Sequence, residues 1–254
     1  MRKLLLIHGF ATDASIWQKQ VEYFKDKYDL IVPTLETHDK NAALKLAGEL
    51  ENLKSINILG WSMGGNVALW LTEELKEKVK SLILASTTPQ FIRTPEFEHA
   101  IFMDDLKTLE EKILINQNQG LKYFYKLANY NDENNIERLA NLMCHYERSE
   151  VISFANKIAS SQAPRNDILE NLSQNLKTLA ILDQRSMLSK IICPTLIIQG
   201  EQDVICLLPA AGYMHEKIKN STLSIMKNTS HIPFLSHSQE FNQITGDFLN
   251  THAG

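Results

Sequence analysis

Ile56-Asn57-Ile58-Leu59-Gly60-Trp61-Ser62-Met63-Gly64-Gly65, continued by a helical run from Asn66 to Leu75, decides how this chain is read. A short apolar strand enters a G-x-S-x-G turn and leaves it as a helix. A serine on so sharp a turn needs small neighbours two residues before and after it, because the strained backbone brings those positions together. Gly60 and Gly64 meet that need. The helix N-terminus just beyond Ser62 offers backbone N–H groups and a positive dipole end to a developing oxyanion. An ordinary serine on a glycine-rich turn is the weaker reading in this context.

Serine is a poor nucleophile unless a base and an orienting acid stand by it, in the chain order serine, acid, histidine. Gly200-Glu201-Gln202-Asp203 follows the apolar segment Thr195 to Gln199, so Asp203 is expected on a loop at a strand's C-terminal end, where open α/β sheets keep their sites. Glu201 competes with it, but directly after Gly200 it reads as turn structure. His231, in Asn228-Thr229-Ser230-His231-Ile232-Pro233-Phe234, is expected after the last strand, within reach of Ser62. His38, His99, His145, His215 and His252 carry no such context, and His237 reads as a helix start. His8, at the end of the first strand, reads as structural support.

Working outward, strands are expected at Lys3 to His8, Tyr28 to Pro33, Ser55 to Gly60, Val79 to Ser86, Thr195 to Gly200 and Thr222 to Lys227. Most are continuous apolar runs, as strands buried on both faces should be. Helical patterns fill the gaps at Ser15 to Lys27, Asn41 to Leu53, Met63 to Lys78, Leu207 to Lys219 and Ser238 to His252. The expected class is α/β, a mostly parallel sheet flanked by helices, with a core of residues 1–88 and 190–254. Between them, 89–189 reads as an all-helical cap insertion with amide-rich stretches at Asn116 to Gln119 and Asn129 to Asn135.

The 254 residues are 44% hydrophobic and 22% charged, enough to bury a sizeable core. A net charge of −4 gives no general reason to bind nucleic acid or an anionic membrane. The apolar runs fall far short of the roughly 20 residues of a membrane helix, and Met1-Arg2-Lys3 leads into no signal-peptide pattern, which points to the cytoplasm. Cys144, Cys193 and Cys206 are too few and scattered for a disulfide framework or a CxxC metal site, so core filling is their expected role. Neither an H-E-x-x-H nor a G-x-x-x-x-G-K-[ST] pattern occurs, and the expected chemistry needs no metal or cofactor.

Leu5-Leu6-Ile7-His8-Gly9-Phe10, Gly60 to Gly65, Gly200 to Asp203 and Ser230 to Phe234 together resemble the α/β-hydrolase family in register from end to end. Within it the chain is most similar to the carboxylesterases of biotin synthesis that remove the methyl ester from pimeloyl-[acyl-carrier protein]. Ala85-Ser86-Thr87-Thr88-Pro89-Gln90-Phe91, His231 to His237 with Glu240-Phe241, and Leu176 to Leu188 with Asp183 and Arg185 carry that likeness. The resemblance implies Ser62, Asp203 and His231 as a triad, the backbone amides of Phe10 and Met63 at the oxyanion, and Trp61 near the acyl chain. The reaction it implies is acyl transfer to water.

In such enzymes basic and aromatic cap residues meet the carrier and its acyl chain. Here the best local candidate is Lys122-Tyr123-Phe124-Tyr125-Lys126-Leu127, since Lys112 to Asn131 holds three lysines and no carboxylate. Lys122 and Lys126 are the candidates to meet an acidic carrier, and Phe124 and Tyr125 to line the pocket, although packing is the stronger reading of these aromatics. The cap from Phe91 to Ser189 has eleven basic against fourteen acidic residues, so any docking patch is local. A solvated helix face explains the two lysines equally well. Val32-Pro33-Thr34-Leu35-Glu36-Thr37-His38-Asp39 replaces the family's glycine-rich turn and alters the pocket. A small-molecule esterase or thioesterase and a lyase of the menaquinone pathway share the elbow and stay open as alternatives. A non-catalytic ligand receptor is disfavoured by the apparently complete triad, and a dehalogenase by the serine where an aspartate should stand.

Overall fold

The computed structural model describes residues 1–129 and 165–252; the amide-rich stretch after Asn129, Cys144, His145 and the middle of the expected cap lie outside the described residues. The first part of the chain runs β1 (Arg2–Ile7), α1 (Gln18–Phe24), β2 (Tyr28–Ile31), α2 (Lys40–Glu49), β3 (Ile56–Trp61), α3 (Met63–Leu75) and β4 (Val79–Ala85). Between β4 and β5 lie α4 (Met103–Ile115), α5 (Gln117–Ala128), α6 (Arg165–Ile181) and α7 (Arg185–Leu188). The chain closes with β5 (Thr195–Gly200), α8 (Leu208–Lys217), β6 (Ser221–Met226), α9 (Pro233–Ser236) and α10 (Ser238–His252).

Six strands pair in the order β2-β1-β3-β4-β5-β6, all parallel. The apolar runs explain who sits inside. β3 and β5 are buried along their whole length, whereas the edge strand β6 is exposed at intervals. Alternate residues feed opposite faces. Leu5, Ile7, Ile58, Leu82 and Ile197 pack with α2, α3 and α8, while Leu4, Leu6, Leu59, Ile83 and Ile198 pack on the other side with α1, α10 and residues of α4 to α6. The one polar pair inside neighbouring strands satisfies itself: Ser81 Oγ donates to Asn57 Oδ1 at 2.8 Å, and Asn57 Nδ2 donates to the Lys3 carbonyl.

The strands agree with the expected segments to within two residues, β2 ending before Pro33, which has no N–H for the ladder. The expected helix at Ser15 to Lys27 is divided, a 3₁₀ turn at Ala14–Trp17 preceding α1, because the Asp13 side chain caps the turn by accepting from the Ser15 N–H. The expectation of helix throughout 89–189 needs correction at its start. Residues 89–102 run as irregular chain with isolated bridges, Gln90 to Asp183, Ile92 to Ile101 and Thr94 to Phe97.

The two ends of the segment between β4 and β5 come side by side at Pro89 and Gln184. Gln184 N–H donates to the Pro89 carbonyl at 2.7 Å, and Asn66 of α3 exchanges side-chain bonds with Gln184 and donates to the Thr88 carbonyl. Within it, α4 and α5 cross closely at Gly120, where a Cβ would stand 2.5 Å from the Ile113 nitrogen.

β2 and β3 flank β1 on opposite sides although β1 precedes both, so the winding of the sheet reverses there. In open α/β sheets such a reversal marks where ligands bind, beyond the C-terminal ends of the strands on either side of it. Phe10 and Ser62 emerge at those ends.

Candidate active site

Ser62 stands between β3 and α3 with φ 54° and ψ −124°, a conformation that costs a non-glycine residue strain. The turn is held from several sides. Ser62 N–H donates to the Ala85 carbonyl at 3.0 Å, and its own carbonyl accepts from Gly65 N–H and from the Thr87 hydroxyl. Space around it is as tight as the motif requires: a Cβ on Gly60 would fall 2.4 Å from the Gly64 carbonyl oxygen, and one on Gly64 would fall 2.3 Å from that of Ile7. Met63 opens α3, where first-turn N–H groups have no partner within the helix.

His231 lies on the loop after β6 and Asp203 on the loop after β5, the side chains of both without exposed surface. His231 Nδ1 is 2.8 Å from Asp203 Oδ2, and His231 Nε2 is 3.0 Å from Ser62 Oγ. An ionised carboxylate only accepts, so Nδ1 carries the proton and Nε2 is left bare toward the serine hydroxyl. The other carboxylate oxygen, Oδ1, accepts from the Ile205 and Cys206 N–H groups at 2.9 and 3.0 Å. The Gln199 side chain adds a donor to Oδ2 at 2.9 Å. Glu201, the competing carboxylate, is exposed and accepts from Asn228 N–H instead.

Trp61, expected near the acyl chain, closes β3 directly before Ser62. It is fully buried, its indole N–H donates to the His231 carbonyl at 2.8 Å, and its ring packs on Phe234. Trp61 therefore props the histidine loop. Phe10 meets Phe124 edge to face at 5.1 Å between ring centres, and the Tyr125 hydroxyl donates to the Ala11 carbonyl. His231 N–H donates to the Ala128 carbonyl at 3.2 Å. One helix, α5, thus touches both the loop after β1 and the loop that carries His231. Lys122 and Lys126 are exposed on α5, and neither forms an ion pair among the described residues.

His8 is buried and accepts from Leu35 N–H on Nε2 at 2.8 Å, leaving Nδ1 to donate toward the Gly9 carbonyl. His38, without context in the sequence, is equally buried and donates from Nε2 to the His8 carbonyl at 2.9 Å. Its backbone N–H donates to Asn175 of α6. Burial and the neighbouring His8 push the His38 imidazole down to about 3, and burial also lowers His8, so both stay neutral. Cys193 and Cys206 are free and buried, and burial raises both thiols.

Sequence reasoning missed Thr87, Gln199 and His38. The signal available for Gln199 was an amide closing an otherwise apolar strand, and for Thr87 a Ser-Thr-Thr run directly after one. Among the described residues no group of three or more His, Cys, Asp or Glu side chains is arranged to hold a metal ion, and no helix is long and apolar enough to cross a membrane. The arrangement can deprotonate a hydroxyl beside helix N–H donors.

Comparison with known proteins gives the family. The chain is 26% identical over 247 residues to a pimeloyl-[acyl-carrier protein] methyl ester esterase from Nitrosomonas europaea, covering 94% of this chain and 92% of that protein. It is 27% identical to the enzyme of the same name from Aliivibrio fischeri strain MJ11, covering 98% and 94%. In three dimensions it is similar to an esterase from Exiguobacterium antarcticum, with a TM-score of 0.79 at 23% identity over 98% of this chain and 92% of that one, a likeness of fold. Residues 3–238 match the family model described as the alpha/beta hydrolase fold. With its parallel sheet, its serine on the strand-to-helix turn after β3 and this match across most of its length, the chain belongs to the α/β-hydrolase family.

Proposed function

We propose that this protein, an esterase of the α/β-hydrolase family, hydrolyses the methyl ester of an acyl chain borne on acyl-carrier protein, through Ser62, His231 and Asp203. The observation that carries the reading is the unbroken line of hydrogen bonds from Asp203 through His231 to the strained Ser62.

In the first half-reaction His231 Nε2 takes the Ser62 proton as Oγ attacks the ester carbonyl carbon. Asp203 holds the tautomer and stabilises the imidazolium. The backbone N–H groups of Met63 and Phe10 are assigned to the oxyanion of the tetrahedral intermediate. Collapse breaks the bond to the alcohol oxygen, which leaves as methanol with the proton from His231. In the second half-reaction water attacks the acyl-enzyme, His231 takes one of its protons and passes it to Ser62 Oγ, and the carboxylic acid departs and loses its own proton to solvent.

The substrate assignment is supported by near end-to-end similarity to relatives named for that ester and by α5. Its inner residues Phe124 and Tyr125 cover the loop after β1, and its outer residues Lys122 and Lys126 suit an acidic carrier. The test compares hydrolysis of methyl pimeloyl-carrier protein with that of free dimethyl pimelate, Ser62→Ala serving as blank. The carrier-bound ester is expected to be preferred, with the preference falling as salt rises, and Ser62→Ala to lose about 10⁴-fold or more in kcat with its melting temperature unchanged. Equal turnover of the free ester removes the carrier from the proposal, and turnover surviving in Ser62→Ala removes the nucleophile.

A further inference from the structure

Gln199 is the polar side chain that closes the inward run of β5, and it has no exposed surface. Its Nε2 lies 2.9 Å from Asp203 Oδ2 and 2.7 Å from the Cys206 carbonyl oxygen, so both amide protons are committed. Rotating the amide would set Oε1 against a carboxylate and a carbonyl, which fixes the nitrogen as the atom that faces them. Oε1 in turn is buried and has no hydrogen-bond partner among the described residues. A methionine or leucine would fill this space without that penalty, so the amide is costly here unless its donor end matters.

The oxygen that receives Gln199 is also the oxygen that receives His231 Nδ1, at 2.8 Å. Ile205 and Cys206 N–H groups hold the other oxygen. Two backbone donors alone would let Oδ2 move toward or away from the imidazole; a third donor on Oδ2 itself holds it in place and draws off part of its charge. Among the described residues the ionisable groups beside Asp203 are His231, the Cys206 thiol, which burial and the carboxylate charge keep protonated, and Glu201, which is exposed and turned to Asn228.

We infer that Gln199 is a positioning residue for the reaction proposed above, a neutral donor that holds Asp203 Oδ2 against His231 and sets the pH at which the imidazole becomes available as base. The inference rests on that reading of Ser62, His231 and Asp203. Removing the donor leaves more negative charge facing the imidazole, which holds its proton to higher pH.

The experiment measures kcat and KM against pH with a p-nitrophenyl acyl ester, and the rate at which a fluorophosphonate probe labels Ser62, in the wild type, Gln199→Met and Gln199→Leu. In the variants the acidic limb of kcat/KM and of labelling should move up by roughly 0.5–1 pH unit. At neutral pH kcat should fall about tenfold while KM stays within about twofold, because Gln199 touches no substrate. Adding Asp203→Asn to Gln199→Met should cost no more than Asp203→Asn alone.

A folded variant with a lowered melting temperature but an unmoved acidic limb would overturn the inference, as would multiplicative losses in the double variant. Failure of both variants to fold would also overturn it, in favour of a purely structural role. Failure of the underlying reading looks different: the wild type itself neither turns over ester nor takes the probe on Ser62. In that case the ¹⁵N resonances of His231 followed against pH still decide Gln199, an unmoved titration in Gln199→Met overturning its part.

Discussion

At the scale of single residues, an ionised carboxylate with no exposed surface is sustainable at Asp203 because four donors meet its two oxygens: two backbone N–H groups, one amide and one imidazole. Asp203→Asn keeps the size but turns an acceptor into a donor, and the imidazole must then present its other tautomer. With Nδ1 accepting, Nε2 carries the proton and no longer takes one from Ser62. A loss in kcat of about 10³–10⁴-fold is expected with little change in KM, read from steady-state kinetics; a loss under tenfold would mean that Glu201 or solvent orients His231 instead. Ser62, Asp203 and His231 were readable because each follows a strand signal and carries a local motif. Gln199 and Thr87 were not, since their meaning lies in the atoms they reach.

At the scale of elements, α5 joins two tasks. Phe124 and Tyr125 bear on Phe10 and Ala11, the Ala128 carbonyl holds the His231 N–H, and Lys122 and Lys126 face outward. The helix is positioned for this by the Asn116 side chain, which caps it by accepting from Gln119 N–H, and by Gly120, which lets it cross α4 closely. Reversing Lys122 and Lys126 together to glutamate is expected to lower kcat/KM for a carrier-bound ester by about tenfold or more while leaving the free ester within twofold. Equal losses on both substrates would make the lysines a solvated face. The helical period of this stretch was legible, as was its basic side. Its contact with the loops after β1 and β6 was not, because nothing in a helical pattern names the surface it will cover.

At the scale of the whole molecule, one buried network ties sheet, loop and insertion together. His8 directly follows β1, His38 on the loop before α2 donates to its carbonyl, and Asn175 of α6 holds the His38 N–H and donates to the Glu36 carbonyl. His38 titrates near 3 in the fold and near 6.5 when unfolded. Between those values the unfolded chain binds a proton that the folded one does not. Its contribution is complete above about pH 6.5 and is lost as pH falls, by at most about 1.4 kcal/mol per pH unit. His8, also lowered, acts in the same direction. From pH 7.5 to 5.5 the share due to His38 is about 1 kcal/mol, or roughly 2–4 °C in melting temperature. His38→Gln retains a side-chain N–H for the His8 carbonyl and should show the shallower decline. Parallel declines of wild type and variant in calorimetry would place the pH sensitivity elsewhere.

By itself the sequence determined what local physics controls. The continuous apolar runs set which segments are strands and that most of them are buried on both faces; the glycines at 60 and 64 set where the sharp turn falls; and chain order singled out the candidate acid and histidine. The tertiary structure alone decided which polar groups meet. Ser62 and His231 are 169 positions apart, and His231 and Asp203 are 28 apart, yet all three fall within hydrogen-bond reach. The same assembly set Trp61 against the histidine loop, and placed Gln199 on the acid, His38 under His8 and Gln184 on Asn66. Apolar burial is non-directional and leaves its period in the sequence, whereas a buried polar atom must find one partner at one distance, and that partner is supplied only when the elements have packed.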